Sequence, residues 1–308
     1  MIQQRKNGQI NIVLHDKQFN ADKEFPQDYF LNEPFHHIDR KFSQFIGLKH
    51  FKKTIKEIYA IKVINEKRLQ QGLTCEKQVL HMLFKGNPGT GKTTVARKLA
   101  ELYFEMNLLS KGHFIEAERA DLVGEYIGQT AQKTRALIQK SLGGILFIDE
   151  AYSLARGGEK DFGKEAIDTL VTHMENKQHE FVLILAGYPY EMENFLQLNP
   201  GLASRFPFQL NFKDFTINQL FEIAKHMVSD REYELTGEAE WKLRSILLQE
   251  SQKFHDHFSN ARFVRNLIEQ SIRNQSIRLL CEEKFSTADL IKITSTDIQL
   301  LNSNTFDE

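Results

Sequence analysis

The sequence has 308 residues, with 40 Lys and Arg against 41 Asp and Glu, which leaves a formal net charge of −1. This balance argues against a nucleic-acid-binding protein, because such domains are usually strongly basic or carry a clustered basic face. Hydrophobic residues make up 41% of the chain and charged residues 26%, as in globular rather than disordered proteins. The length suits about two domains.

The cysteines and the apolar segments indicate in which cellular compartment the protein is expected. Cys75 and Cys281 lie far apart in the sequence and predict neither a disulfide framework nor a zinc cluster. The apolar stretches, such as 181–187, are shorter than the roughly 18 residues that a membrane-spanning helix needs. No apolar segment typical of a secretory signal follows the N-terminus. We therefore expect a cytoplasmic protein without a membrane span.

In chain order, the first element is an N-terminal extension over residues 1–40, expected to have little regular structure because prolines interrupt it. Apolar residues at helical spacing then predict a helix over 48–71. Short apolar segments alternate with helical ones after it. The predicted strands are 80–85, 114–117, 145–148, 181–186 and 208–212, and the predicted helices are 93–106, 130–142 and 162–176.

These strands are continuously apolar, which indicates that both of their faces are covered. We therefore expect an α/β fold with a mostly parallel sheet between two layers of helices. After Phe212 the pattern predicts helices alone, over 217–228, 239–248 and 263–280. The expected domains are the α/β domain over 41–213 and a smaller, all-helical domain over 214–308.

The segment Gly86–Thr93 matches the phosphate-binding motif G-x-x-x-x-G-K-[ST] between a predicted strand and a predicted helix. Its glycines let backbone N–H groups surround a phosphate, and the helix adds the positive end of its dipole. Lys92 is predicted to reach the β- and γ-phosphates, and the Thr93 hydroxyl to bind Mg²⁺. The predicted nucleotide-binding residues of this loop are Asn87, Pro88, Gly89, Thr90, Gly91, Lys92, Thr93 and Thr94.

An acidic pair, Asp149 and Glu150, follows the apolar strand predicted over 145–148. In this topology the end of that strand lies beside the phosphate loop. We expect Asp149 to support the Mg²⁺ ion and Glu150 to orient and polarise the attacking water. A carboxylate that activates water favours ATP hydrolysis over phosphate transfer to an alcohol.

Together with residues 112–128 and 181–206, these motifs resemble the AAA+ ATPases, in particular the branch that contains red-type Rubisco activases and a sporulation protein. The segment 157–163 is most similar to the sporulation member. The resemblance runs from about Phe45 to Leu280. It implies a phosphate-loop AAA+ three-layer sandwich followed by a helical lid.

The same resemblance implies roles for further residues. Phe45, Ile46 and Gly47 match the segment that holds the adenine. The loop Tyr126-Ile127-Gly128 matches the one that lines the central pore of these rings and grips a polypeptide, where an exposed aromatic ring can wedge against a passing chain.

Two arginines complete the implied site. Arg205 matches the arginine finger that reaches the γ-phosphate in the neighbouring subunit. Arg262 matches the second sensor, a role that Arg265 could take instead. The Asn or Thr that many members place after the fourth strand is replaced by Gly187-Tyr188, so the first sensor stays unassigned, with Tyr188 as a candidate.

The resemblance thus implies a homo-oligomer, a hexameric ring, that uses ATP and Mg²⁺ to remodel or thread a protein client in spore formation. One alternative is an activase of a metabolic enzyme. Another is a scaffold whose assembly is controlled by nucleotide. A nucleic-acid motor is a third, and the near-zero net charge counts against it.

Overall fold

The computed structural model describes residues 35–300, except 44, 127, 158–160, 254–257 and 283–284. Most of the predicted N-terminal extension lies outside the described residues. So do Ile127 of the predicted pore loop and part of the segment 157–163.

Five parallel strands form one sheet in the spatial order β2-β3-β4-β1-β5. The strands are β1 Met82–Gly86, β2 Phe114–Ala117, β3 Ile145–Ile148, β4 Val182–Gly187 and β5 Phe208–Phe212. All residues of β3 and β4 are buried, as their continuously apolar sequences predict. The predicted mostly parallel sheet is therefore confirmed.

Two hydrophobic cores cover the two faces of the sheet. Side chains alternate between faces along a strand, so Phe84 packs into one core and its neighbour Leu83 into the other. The helices of this domain are α1 His36–Lys41, α2 Lys49–Gln70, α3 Lys92–Glu105, α4 Arg119–Leu122, α5 Gln129–Ser141, α6 Gly163–Asn176, α7 Pro189–Leu198 and α8 Pro200–Ala203. A 3₁₀ helix, Ala151–Ala155, follows β3. These layers form the predicted three-layer sandwich.

The strand order places the two chemical motifs side by side. β4 lies between β1 and β3, with Ile184 opposite both Met82 and Phe147. Because parallel strands end at the same edge, the loop after β1 and the acidic pair after β3 meet there.

The expectation of little regular structure before residue 41 is wrong for α1. Ile38 and Phe42, four residues apart, are completely buried in the core beneath α2. The rings of Phe42 and Phe51 pack with centroids 5.0 Å apart. Burial of these two side chains holds the short helix on the α/β domain.

The lid has a hydrophobic core of its own, which includes Leu220, Leu243 and Val264. Its helices are α9 Ile217–Ser229, α10 Gly237–Lys253, α11 Asn260–Cys281 and α12 Thr287–Ile291. The helical lid is confirmed with one correction to its expected all-helical character. The short strands β6 Glu234–Leu235 and β7 Lys292–Ile293 pair in parallel. Segments of two residues are too short to show a sequence period.

Candidate nucleotide-binding site

The loop between β1 and α3 has the shape of a phosphate cradle. Gly89 and Gly91 have φ angles of +69° and +91°, in the left-handed region that glycine adopts readily. Gly91 directly precedes α3, so the loop ends at a helix N-terminus. A β-carbon at Gly91 would meet nothing within 4 Å, so space does not exclude a side chain there. The positive φ of Gly91 is the reason that this position favours glycine.

Lys92 lies inside the curve of this loop with 9% of its surface exposed. Its Nζ donates hydrogen bonds to the carbonyl oxygens of Gly86 at 2.7 Å and Asn87 at 2.9 Å. Burial lowers the pKa of the Lys92 ammonium from its usual range, and the Asp149 carboxylate opposes this shift. The loop therefore holds a cation at its centre.

A cavity of about 290 Å³ opens in front of Lys92. It brings together the phosphate loop, the ends of β3 and β4, and the start of α11 in the lid. Its lining residues are Pro88, Gly89, Gly91, Lys92, Thr93, Thr94, Asp149, Glu150, Gly187, Tyr188, Ala261, Arg262 and Arg265. Most of the predicted phosphate and catalytic residues thus face one space.

The turn after β3 directs the acidic pair toward this cavity. The N–H of Glu150 donates to Asp149 Oδ1 at 3.0 Å, and the Glu150 carbonyl accepts from Ser153 N at 2.8 Å. Glu150 has φ +46°, a left-handed conformation that costs a non-glycine residue about 1–2 kcal/mol. Such strain is often found at functional sites. In this conformation the Glu150 side chain is exposed.

Thr90 lines a second cavity, of about 590 Å³. Gly47 lines it, together with Phe215 and Gln219 from the start of the lid. Phe45 and Ile46 are not among its lining residues, and the Phe45 ring packs on Phe42 at 5.5 Å. Of the predicted adenine segment, only Gly47 lines this cavity.

The remaining loop residues face different neighbours. The Asn87 side chain turns away from the phosphate cavity and donates to Asp214. Thr90 is almost fully buried, and its hydroxyl donates to the Asn87 carbonyl at 2.8 Å. These hydrogen bonds stabilise the conformation of the phosphate loop.

Both candidate sensor arginines, Arg262 and Arg265, line the phosphate cavity, so geometry does not choose between them. Tyr188 also lines it. The Tyr188 ring lies 6.0 Å from Lys92 Nζ and stacks on Tyr152 at 5.8 Å. Tyr188 is thus the residue after β4 that reaches the cavity, and no residue is assigned as first sensor.

Arg205 and Tyr126 also do not line the phosphate cavity of their own chain. Arg205 donates to the Gly201 carbonyl and the Glu175 carboxylate. Tyr126 is 67% exposed on the loop before α5, where Gly128 has φ +84°. The Arg205 side chain is partly buried and that of Tyr126 is exposed, and both lie apart from the residues that line the phosphate cavity.

Family models match most of the chain. Residues 82–214 match the ATPase family associated with various cellular activities (AAA), and residues 216–307 match the AAA lid domain. In the solved AAA domain of FIGL-1 in complex with ADP, 83% of this chain and 81% of that one align at 20% identity, with a TM-score of 0.55, which shows the shared fold.

Curated relatives are similar along most of their length. Stage V sporulation protein K of Bacillus subtilis (strain 168) is 59% identical over 96% of this chain and 95% of the relative. Protein CbbX of Cereibacter sphaeroides is 46% identical, over 80% and 79% respectively. The chloroplastic ribulose bisphosphate carboxylase/oxygenase activase of Cyanidioschyzon merolae (strain NIES-3377 / 10D) is 42% identical, over 94% and 98%.

The chain therefore belongs to the AAA+ ATPase family, and it is a nucleotide-binding protein that hydrolyses ATP. The residues at the site fit such a ligand. A buried ammonium group, two arginines and a helix N-terminus face the phosphate cavity. Thr93 and Asp149 supply a hydroxyl and a carboxylate to the same space, which suits Mg²⁺, an ion that keeps several waters and binds one or two protein oxygens.

The sequence analysis missed two residues that join the lid to the loop. They are Asp214, where the predicted lid begins, and Asn260, two residues before Arg262. Asn260 has φ +48° at the start of a helix. An asparagine directly before a helical pattern is the signal that could have drawn attention to it.

In the described part of the chain, no helix combines the length and the apolar character required to cross a bilayer. Both cysteines are free thiols.

Proposed function

We propose that this chain assembles into a homo-oligomeric ring, a hexamer, that hydrolyses ATP to remodel or thread a protein client in the cytoplasm. The observation that carries the proposal is the position of Arg205. Lys92, Asp149 and Glu150 line one cavity, whereas Arg205 lies outside the residues that line it. In a ring, Arg205 of the adjacent subunit can reach the nucleotide site that the Arg205 of the same chain does not line.

Within the site, each residue has a proposed role. Lys92 and the loop N–H groups hold the β- and γ-phosphates, and Arg262 or Arg265 contacts them from the lid. Glu150 orients the attacking water and polarises it. Thr93 and Asp149 would hold Mg²⁺, which supplies positive charge that neutralises the phosphate oxygens. Gly47 and the residues lining the second cavity receive the adenine.

The proposed contact with the client is Tyr126. Its ring is 67% exposed, and it is carried on a loop that ends at Gly128 before α5. An exposed aromatic ring can pack against many side chains and against the backbone, so it grips polypeptide without requiring a sequence. This property suits a machine that pulls on an extended chain.

Complementation between two inactive variants tests the ring. Glu150→Gln removes the proposed catalytic carboxylate, and Arg205→Ala removes the proposed arginine finger. In a random 1:1 mixture, about a quarter of the interfaces pair an intact Glu150 with an intact Arg205 of the next subunit. We expect the mixture to recover up to about a quarter of wild-type ATPase activity.

Absence of any recovery in mixed oligomers would show that Arg205 does not act across an interface. Sedimentation of each variant with ATP is the control for assembly. Negligible turnover in the wild-type protein, combined with nucleotide-dependent assembly, would favour the scaffold alternative.

The name of the 59% identical relative, stage V sporulation protein K, supports spore formation as the proposed process. The relatives named CbbX and ribulose bisphosphate carboxylase/oxygenase activase favour activation of a metabolic enzyme as a second candidate. A Glu150→Gln variant that binds ATP without hydrolysing it should retain its client. The identity of the captured protein separates the two candidates.

A further inference from the structure

The lid contacts the phosphate loop through Asn260, the residue that begins α11. Asn260 is completely buried, and its φ of +48° lies in the left-handed region. Its Nδ2 donates to Asp214 Oδ1 at 2.7 Å and lies 3.3 Å from the Pro88 carbonyl oxygen. Its Oδ1 accepts from Phe215 N at 2.9 Å. One side chain therefore joins the loop, the segment between the two domains and the lid.

Asp214 is shared between the loop and the lid. Asn87 Nδ2 donates to its two carboxylate oxygens at 3.1 and 2.9 Å. The carboxylate thus holds Asn87 and Asn260 at the same time. Hydrogen bonds to an ionised carboxylate are about twice as strong as those between neutral groups.

The backbone makes a second link between the same two segments. The N–H of Ala261 donates to the Gly89 carbonyl at 3.2 Å. The carbonyls of Pro88 and Gly89 both therefore face the lid.

This orientation has a consequence for the opposite side of the loop. In a planar trans peptide, the C=O and N–H groups point in opposite directions. The Pro88 carbonyl shares its peptide with the Gly89 N–H, and the Gly89 carbonyl shares its peptide with the Thr90 N–H. Contacts that turn these carbonyls toward the lid turn the two N–H groups away from it.

We propose that Asn260, acting with Asp214, is a positioning residue for nucleotide binding. It fixes the start of α11 against the Pro88 and Gly89 carbonyls and so sets the orientation of the Gly89 and Thr90 N–H groups that bind phosphate. Arg262 lies two residues further along the same helix, so the contact also sets where this arginine enters the cavity. The inference depends on nucleotide binding alone, and on neither the ring nor the client.

The test is the affinity of Asn260→Gly for a fluorescent ADP analogue. Glycine suits the φ of +48° and removes the amide together with the β-carbon that carries it. We expect the dissociation constant to rise about tenfold, which corresponds to about 1.4 kcal/mol. Amide hydrogen exchange at Ala261 should become faster, because its hydrogen bond to Gly89 loses support.

Asn274→Ala is the matched control, in the same helix. Asn274 Nδ2 donates to the Asp297 carbonyl at 2.8 Å, a contact wholly within the lid. This variant should lower the melting temperature without changing the affinity for the ADP analogue.

A charge exchange provides a second measurement. Asn260→Asp places a carboxylate against Asp214 and should weaken binding more than Asn260→Gly. Adding Asp214→Asn restores a hydrogen bond with donor and acceptor exchanged, and should recover part of the affinity. A folded Asn260→Gly variant with wild-type affinity overturns the proposal, as does an equal loss in Asn274→Ala. If Asn260→Gly does not fold, the charge exchange decides, and no recovery overturns the proposal.

Discussion

Gly89 of the phosphate loop lies directly against Ser259 of the lid. A β-carbon built on Gly89 would be 2.1 Å from the Ser259 carbonyl oxygen and 2.8 Å from the backbone nitrogen of Arg262. Backbone atoms cannot yield as a flexible side chain can, so the two domains approach this closely only because residue 89 has no side chain.

Replacement of Gly89 by alanine should therefore move the lid away from the loop. The φ of +69° adds strain in the loop itself. We expect Gly89→Ala to bind ADP at least about tenfold more weakly, measured by titration calorimetry. Gly237→Ala is the control, because a β-carbon there meets nothing within 4 Å. Wild-type affinity in Gly89→Ala would contradict the close approach.

Glu150→Gln should abolish turnover and leave nucleotide binding intact. The amide retains the size of the side chain but cannot accept a proton from water, so we expect kcat to fall at least about 100-fold. Steady-state phosphate release measures the loss, and fluorescent ATP binding verifies the site. Glu193→Gln, at an exposed position in α7, is the matched control. Substantial ATPase activity in Glu150→Gln would exclude the proposed catalytic role.

Tyr126→Ala should lose the response to polypeptide, because the exposed ring is the proposed grip. The measurement is the increase in ATPase rate on adding casein, a largely unfolded protein. Tyr126→Phe keeps the ring and should retain the response. Tyr190, with 72% of its surface exposed, provides the control Tyr190→Ala. Equal stimulation of Tyr126→Ala and the wild type would rule out the pore-loop assignment.

His81 should make the fold sensitive to acid. Burial is the main cause that lowers its pKa to about 4, and nearby His179 lowers it further. The unfolded state, with a pKa near 6.5, binds the proton more readily, so stability decreases as pH falls from about 6.5 toward 4. From pH 7.5 to pH 5, we expect His81 to account for a loss of about 2 kcal/mol in the free energy of unfolding.

Urea unfolding of His81→Asn measures this contribution. The asparagine can still accept the hydrogen bond that Leu183 N donates to His81 Nδ1 at 3.0 Å. Its loss of stability between these pH values should be smaller than that of the wild type. The exposed lid variant His226→Asn should match the wild type. A wild-type dependence on pH in His81→Asn would show that the buried histidine is not responsible.

The sheet was predictable because its strands have a recognisable sequence pattern. Strands β3 and β4 are continuously apolar, and the segment between β1 and α3 has a specific spacing of glycines. The helix α1 was not predictable in this way. Its six residues contain few apolar positions, and only the packing of Ile38 beneath α2 makes it helical. The strands β6 and β7 are too short to show a pattern and depend on pairing with each other.

The sequence by itself determined the class of the protein. The spacing of glycines before Lys92 and Thr93 predicted a phosphate loop, because the backbone geometry of such a loop depends on neighbouring residues. The acidic pair Asp149 and Glu150 after an apolar strand completed the pattern. Tertiary structure alone decided which distant groups meet. Asn260 contacts Asp214 and Pro88 across 46 and 172 residues of chain. Such a contact depends on how two domains pack, and no local periodicity encodes it.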